Sequence, residues 1–254
     1  MSTDTPTASF ERKTAFDAAS PTLIEGLPGL GMVASIAVDQ ITTQLDLDHH
    51  GSIQSAALPS VAAFADGRVR DMVRVYAGAD PPVMTLQSDI PIPPNAAAAL
   101  SRTVYQDLAE EFERAVFLAG APAESEAQLG EVVGVATSDE TEAELRDAGI
   151  ELAEESGSIG GITGALVADC YAHDVPASVL IVRCDPRLPD PNAAQSVIEN
   201  ALEPLVDFDI DTSELEEQAQ QIQQQKQQIA KQLQQLRQQQ QEEGETLQSR
   251  AMYQ

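Results

Sequence analysis

Three stretches of the sequence hold residue types at spacings that could do chemistry: two glycine-rich runs and the terminal triplet Met252-Tyr253-Gln254. The triplet reads as hydrophobic–tyrosine–any residue ending in a free carboxylate. Such an ending suits terminal-carboxylate capture, in which the carboxylate meets a cation or backbone N–H groups while the aromatic ring fills a cleft. Gly29-Leu30-Gly31-Met32-Val33-Ala34 fits G-x-G-x-x-A after a strand, with Asp46 and Asp48 at a plausible distance for a ribose contact. The competing reading is structural: a tight strand-to-helix turn, stiffened by Pro28 and packed closely on a sheet. Gly157-Ser158-Ile159-Gly160-Gly161-Ile162-Thr163-Gly164 is a second cluster before a helix. It lacks the Lys-Ser/Thr ending of a phosphate-binding P-loop, so an NTPase site is unsupported. It either holds a small anion at a helix N-terminus or lets the helix lie close against a strand.

Other catalytic signatures are missing from the sequence. His49 and His50 are adjacent in a stretch read as a polar loop, and His173 reads as a cation at a helix end. No H-E-x-x-H, G-x-S-x-G or spaced Cys/His set occurs, and Cys170 and Cys184 are read as two small buried thiols. Carboxylates are abundant everywhere, so no acid/base pair stands out; the expectation is a non-enzyme with no cofactor and no metal. Asp and Glu number 41 against 14 Lys and Arg, a net charge of −27. That field repels nucleic-acid phosphates and argues against nucleic-acid binding. Only Lys13, Lys226 and Lys231 are lysines, and the acids are spread along the chain. This pattern reads as adaptation to a salt-rich archaeal cytoplasm, where a Debye length of about 3 Å at 1 M salt screens self-repulsion. No apolar run is long enough to cross a bilayer, and no secretory segment opens the chain, so the expected location is cytoplasmic with no membrane partner.

The elements that must position these residues follow from periodicity. Strands are expected at Thr22 to Glu25, Ile53 to Leu58, Met72 to Tyr76, Val83 to Gln87, Ala115 to Ala119, Glu131 to Thr137 and Ser178 to Val182. Helices are expected from Met32 to Leu45, Asn95 to Phe112, Ser138 to Gly149, Ile162 to Tyr171 and Asn192 to Val206, with Pro204 fraying the last. Ile90 to Pro94 is a rigid loop. Short apolar runs alternating with helices predict an α/β three-layer sandwich around a mixed, mostly parallel sheet, with some antiparallel pairing among the early strands.

From Ser213 the character changes, and residues 218–241 hold 15 Gln. Leu215, Ile222, Ile229 and Leu236 recur every seven residues, with Ala219, Lys226 and Leu233 on the alternate seam positions. That is a heptad pattern with one polar seam residue, about 39 Å long if helical throughout. The alternative is a disordered Gln-rich tract. The expected organisation is a flexible 1–20, an α/β domain over 21–210, a helical or coiled-coil stalk over 211–243, and a loose tail over 244–254.

The run LIEGLPGLGMVASIAVDQI, the segment PPVMTLQSDIPIPP and SIGGITGALV before a helix together resemble the archaeal branch of the proteasome assembly chaperone family. The resemblance spans roughly Thr22 to Val206. It implies a fold similar to purine nucleoside phosphorylases without enzymatic activity. It also gives the triplet a meaning, since proteasomal activators and some archaeal homologues end in a hydrophobic–tyrosine–any motif that enters pockets between α-ring subunits of the 20S proteasome. Carried over, Met252 is the hydrophobic member, Tyr253 the tyrosine, and Gln254 the source of the carboxylate. The implied partners are 20S proteasome α-subunits, and the implied assembly is a homo-oligomer. Two alternatives stay open: a phosphorylase-like enzyme or nucleotide/phosphate-binding protein using the glycine turns, and a coiled-coil scaffold whose tail merely oligomerises.

Overall fold

The computed structural model describes residues 7–226, 228 and 232. The chain divides into two units, Met1–Thr212 and Ser213–Gln254. The first contains strands β1 (Ala8–Arg12), β2 (Thr22–Gly26), β3 (Asp48–Ser55), β4 (Ala63–Ala65), β5 (Arg68–Arg70), β6 (Val73–Ala79), β7 (Pro82–Ser88), β8 (Arg114–Pro122), β9 (Val132–Ala136) and β10 (Ala177–Cys184). Its helices are α1 (Val33–Gln44), α2 (Pro94–Thr103), α3 (Asp139–Asp147), α4 (Gly161–Ala172), α5 (Pro191–Val197) and α6 (Glu203–Val206).

Eight strands form one sheet in the order β1-β3-β6-β7-β2-β8-β10-β9. The parallel pairings are central, joining β7 to β2, β2 to β8 and β8 to β10. The β1-β3-β6-β7 flank and the β9 edge pair antiparallel. Chain connectivity explains the split: β6 and β7 are joined by a tight turn, which forces antiparallel pairing, whereas the parallel strands are separated by helical crossovers. All five residues of β2 are buried, as expected for a parallel strand covered on both faces.

Helices cover the sheet on both sides. α1 packs on β2, β7, β8 and α5, while α2 and α4 pack on each other, with α4 also against β8 and β10. The α2/α4 side holds a continuous core in which Leu23, Met84, Leu86, Phe117 and Val179 of the sheet meet Leu100, Val104, Leu108, Ile162 and Leu166. Strand alternation sends Ile24, Val116 and Leu180 to the opposite face, and all three are fully buried.

Several local expectations are met for identifiable reasons. Ser138 caps α3 in a reciprocal box: its hydroxyl accepts from the Thr141 N–H at 3.2 Å, and the Thr141 hydroxyl accepts from the Ser138 N–H at 3.1 Å. Asp190 caps α5 through the Ala193 N–H at 3.1 Å. The expected last helix does not fray at Pro204 but passes through a π turn, Ile198–Leu202, and continues as α6. A π turn just before a proline lets the helix run on without the N–H that proline lacks. A second π turn, Val104–Leu108, extends α2.

Other expectations are corrected. Ala8–Arg12, inside the segment 1–20 expected to be flexible, forms β1 on the sheet edge. His49 and His50 are not in a loop: both belong to β3, which runs Asp48–Ser55 rather than 53–58. His50 is fully buried, its Nε2 2.9 Å from the Glu111 carboxylate, its ring between Phe10 and Phe16. The polar letters of Asp48-His49-His50-Gly51-Ser52 conceal this strand, because His50 and Ser52 are polar residues that the fold nevertheless buries completely. The Asp66-Gly67 turn, with both residues at positive φ, closes a separate hairpin of β4 and β5.

In the second unit, residues 213–226 are helical. Leu215, Ala219, Ile222 and Lys226 lie on this helix. Ile229, Leu233, Leu236 and the tail 244–254 lie outside the described residues.

Candidate functional site

Each of the two glycine runs occupies a turn at the carboxyl end of the parallel strands. The first leaves β2 at Gly26, passes a 3-10 turn at Leu30–Met32 and enters α1. A Cβ at Gly26 would lie 2.4 Å from the Cβ of Val38, and Gly31 combines φ +64° with a contact to the Cys184 sulfur. Gly120 of β8 approaches the same turn, its absent Cβ pointing 2.4 Å from the Leu30 carbonyl oxygen. The close-packing reading of this run therefore holds at Gly26 and Gly31. Gly120→Ala is expected to cost about 1–3 kcal/mol, because backbone on both sides must move. Gly29→Ala, at extended backbone with open space beside it, is expected to change little. Urea unfolding midpoints in high KCl measure both.

The dinucleotide reading of this turn fails on topology. Asp46 and Asp48 lie beyond the far end of α1, and the strand that follows, β3, is separated from β2 by β6 and β7. A ribose contact requires the acid on the strand next to the glycine turn.

The second run leads into α4. Gly164 lies against the loop that precedes the helix rather than against a strand, its absent Cβ pointing 2.1 Å from the Ile159 carbonyl oxygen. Gly160 is the N-cap, extended at φ −103° and ψ −177°, and no side chain caps the helix. Between this run, the first turn and the ends of β8, β9 and β10 lies a cleft of about 630 Å³. Its apolar wall includes Val133, Val135 and Ile181; Thr163, Ser158 and Arg183 contribute polar groups, and Glu154 and Glu155 stand on exposed rim positions.

Glu25 sits behind Thr163, fully buried at the end of β2. Its carboxyl accepts from the Leu27 N–H at 3.1 Å, the Leu118 N–H at 3.3 Å and the Thr163 hydroxyl at 3.3 Å. Burial pushes the acid up to about 8, and the N–H groups of Leu118 and Leu27 with the Thr163 hydroxyl only partly oppose that. At neutral pH the group is a carboxylic acid, with a proton it can pass toward the Thr163 oxygen. Glu25 belongs to no motif or spacing pattern, although one ionisable residue inside the apolar strand Thr22-Leu23-Ile24-Glu25-Gly26 is itself a signal.

The remaining reactive groups do not join this site. Burial pushes Cys170 up to about 12 and Cys184 up to about 11, so both are un-ionised thiols at neutral pH. His173 ends α4, its Nδ1 2.8 Å from the Asp169 carbonyl and its ring stacked on Tyr105. No group of three His, Cys, Asp or Glu among the described residues is arranged to hold a metal ion, and no helix among them is long and apolar enough to cross a membrane. Met252, Tyr253 and Gln254 lie outside the described residues.

The PAC2 family model matches residues 23–230. Pyrococcus furiosus PbaA, described as an archaeal homolog of proteasome-assembly chaperone, is 25% identical at a TM-score of 0.76, covering 91% of this chain and 99% of that one. P. furiosus PbaB, described as an archaeal proteasome activator, shares the fold at a TM-score of 0.79 and 17% identity, covering 88% and 99%. An uncharacterised protein of Methanocaldococcus jannaschii is 25% identical over 213 residues, 84% of this chain and 87% of that protein.

Proposed function

Because the chain belongs to the PAC2 family, we propose that it is a non-enzymatic chaperone or adaptor of the 20S proteasome that docks on the α-ring through Met252-Tyr253-Gln254. The observation that carries this reading is the near full-length likeness to PbaA, described as a homolog of proteasome-assembly chaperone. PbaB, described as a proteasome activator, has the same fold, which favours the proteasome as the partner without deciding between assembly and activation. In the proposed mode the Gln254 carboxylate pairs with a lysine of an intersubunit pocket, and the Tyr253 ring packs on the pocket wall beside Met252. The heptad segment spaces or bundles several such tails on a homo-oligomer. A ring of identical pockets then meets an array of tails at raised effective concentration, so modest single-tail affinity suffices.

The test is capture of the host 20S proteasome and of free α-subunits in high salt. Full-length protein is compared with Tyr253→Ala and with a chain lacking the last three residues. Capture by the full-length protein and its loss in both variants is the expected result. Equal capture by all three would reject the tail as the docking element, and no capture by any of them would reject the proteasome as partner.

A further inference from the structure

Three glycines in the two turns are unexplained by the fold. Gly26, Gly31, Gly120 and Gly164 each have an atom within 3 Å of where a side chain would begin. Gly157 and Gly160 have nothing within 4 Å, and Gly29 has only the Leu27 carbonyl oxygen at 4.0 Å. None of these three adopts a positive φ. Packing and backbone conformation therefore leave room for a side chain at all three, yet all three line the same cleft. Bare backbone facing open space is what a ligand needs to reach main-chain N–H groups.

The donors are in place. α4 is twelve residues long and begins at Gly161 with no side chain capping its first-turn N–H groups, and Gly160 and Thr163 of that turn line the cleft. Arg183 is one of 14 cationic side chains in a chain carrying 41 acids, and it lines the cleft on the face that also carries Ile181. Beside it, Val133 and Val135 of β9 offer apolar surface, Val133 in register with Ile181. At the base, Thr163 contacts the buried Glu25 and opens to the cleft. The cleft lies outside the carboxyl ends of β8 and β10, where parallel α/β sheets place ligands, and its volume suits a small molecule.

We propose that this cleft binds a small molecule bearing one phosphate or carboxylate group on an apolar body. Its oxyanion sits on the first turn of α4 with Arg183 as counter-charge, and its body lies along Val133, Val135 and Ile181. The Thr163 hydroxyl, when it accepts from protonated Glu25, turns its own hydrogen toward the ligand oxygen. A phosphate at the same position is held by the same donors as a carboxylate. The exposed rim carboxylates of Glu154 and Glu155 disfavour polyanions, which limits the ligand to a single anionic group.

Titration of the full-length protein in high KCl with phenyl phosphate, benzoate, inorganic phosphate and phenol tests this, by calorimetry and by the unfolding midpoint. A ligand that binds only the folded state must raise that midpoint. Saturable binding of phenyl phosphate or benzoate, with none for phenol, is the expected result. Phenyl phosphate alone binding would identify a phosphate monoester as the ligand class, and benzoate alone a carboxylic acid. Arg183→Gln and Gly157→Val are expected each to weaken binding by about tenfold or more, the loss of one charge-assisted contact or of access to the backbone. Both should keep the parental midpoint without ligand, so loss of binding is separable from misfolding. Equal binding of phenol, binding that survives both substitutions, or no binding by any of the four probes would each overturn the proposal.

Discussion

Between pH 4.5 and 8, Glu25→Gln is expected to gain stability relative to the parent protein by about 1.4 kcal/mol for each pH unit. The sign follows from proton counting. Below pH 4.5 both folded and unfolded chains hold the proton, and the carboxyl contributes no pH dependence. From 4.5 to about 8 the unfolded chain releases it while the buried acid keeps it, so the folded state binds more protons and loses stability as pH rises. Above 8 both states are ionised and the difference stops growing. Over the full window the effect amounts to ~5 kcal/mol, comparable to the whole stability of a small domain.

Glutamine removes this slope at a fixed cost. Its amide nitrogen cannot accept from the Leu118 N–H as the carboxyl oxygen does at 3.3 Å, and an unpartnered buried donor costs about 1–3 kcal/mol. The two stability curves should therefore cross, the variant weaker near pH 5 and stronger near pH 8. The difference between parent and variant isolates Glu25 from the other acids, whose contributions cancel. Urea unfolding at fixed high KCl across this range gives the curves. A flat difference would mean that Glu25 is ionised in the folded protein.

How far the sequence foretold this site depends on which kind of signal each residue gives. Gly26 and Gly31 were visible as a turn because a strand, a glycine run and a helix follow one another within one short segment. The residues that pack on this turn, Gly120 against Leu30 and Cys184 against Gly31, were not, since they arrive from strands about 90 and 150 residues away and only the sheet order brings them near. The central strands were legible as apolar runs because both their faces are covered. β3 was partly hidden because it buries His50 and Ser52, and β1 because only alternate residues face the protein. β4 and β5 are three residues each, too short for alternation to register. The cleft itself was invisible for a geometric reason. Gly29, Gly157 and Gly160 look like Gly26 and Gly164 in a sequence, and only the space around each absent Cβ separates a packing glycine from one that faces a void.

Phe117→Ala is expected to cost about 3–5 kcal/mol, and Phe64→Ala less than about 0.5 kcal/mol. Phe117 is fully buried in the middle of β8, with Glu25 of β2 and Val179 of β10 as its neighbours in register. It is the largest side chain among the fully buried residues, so truncation leaves a hole lined by rigid strands that cannot collapse into it. Phe64, in the β4–β5 hairpin, is 75% exposed and loses little on truncation. The urea midpoint with an unchanged slope measures both. The hole at Phe117 also opens beside the Glu25 carboxyl, which shares its face of the sheet. Water admitted there would hydrate the ionised form and bring the acid back toward its ordinary value, so part of the Phe117→Ala cost should be offset as pH rises. The double substitution Phe117→Ala/Glu25→Gln is therefore expected to be non-additive at pH 8 and closer to additive near pH 5. Additivity at both pH values would mean that desolvation of Glu25 does not depend on Phe117, and that β2 and α4 alone keep the acid dry.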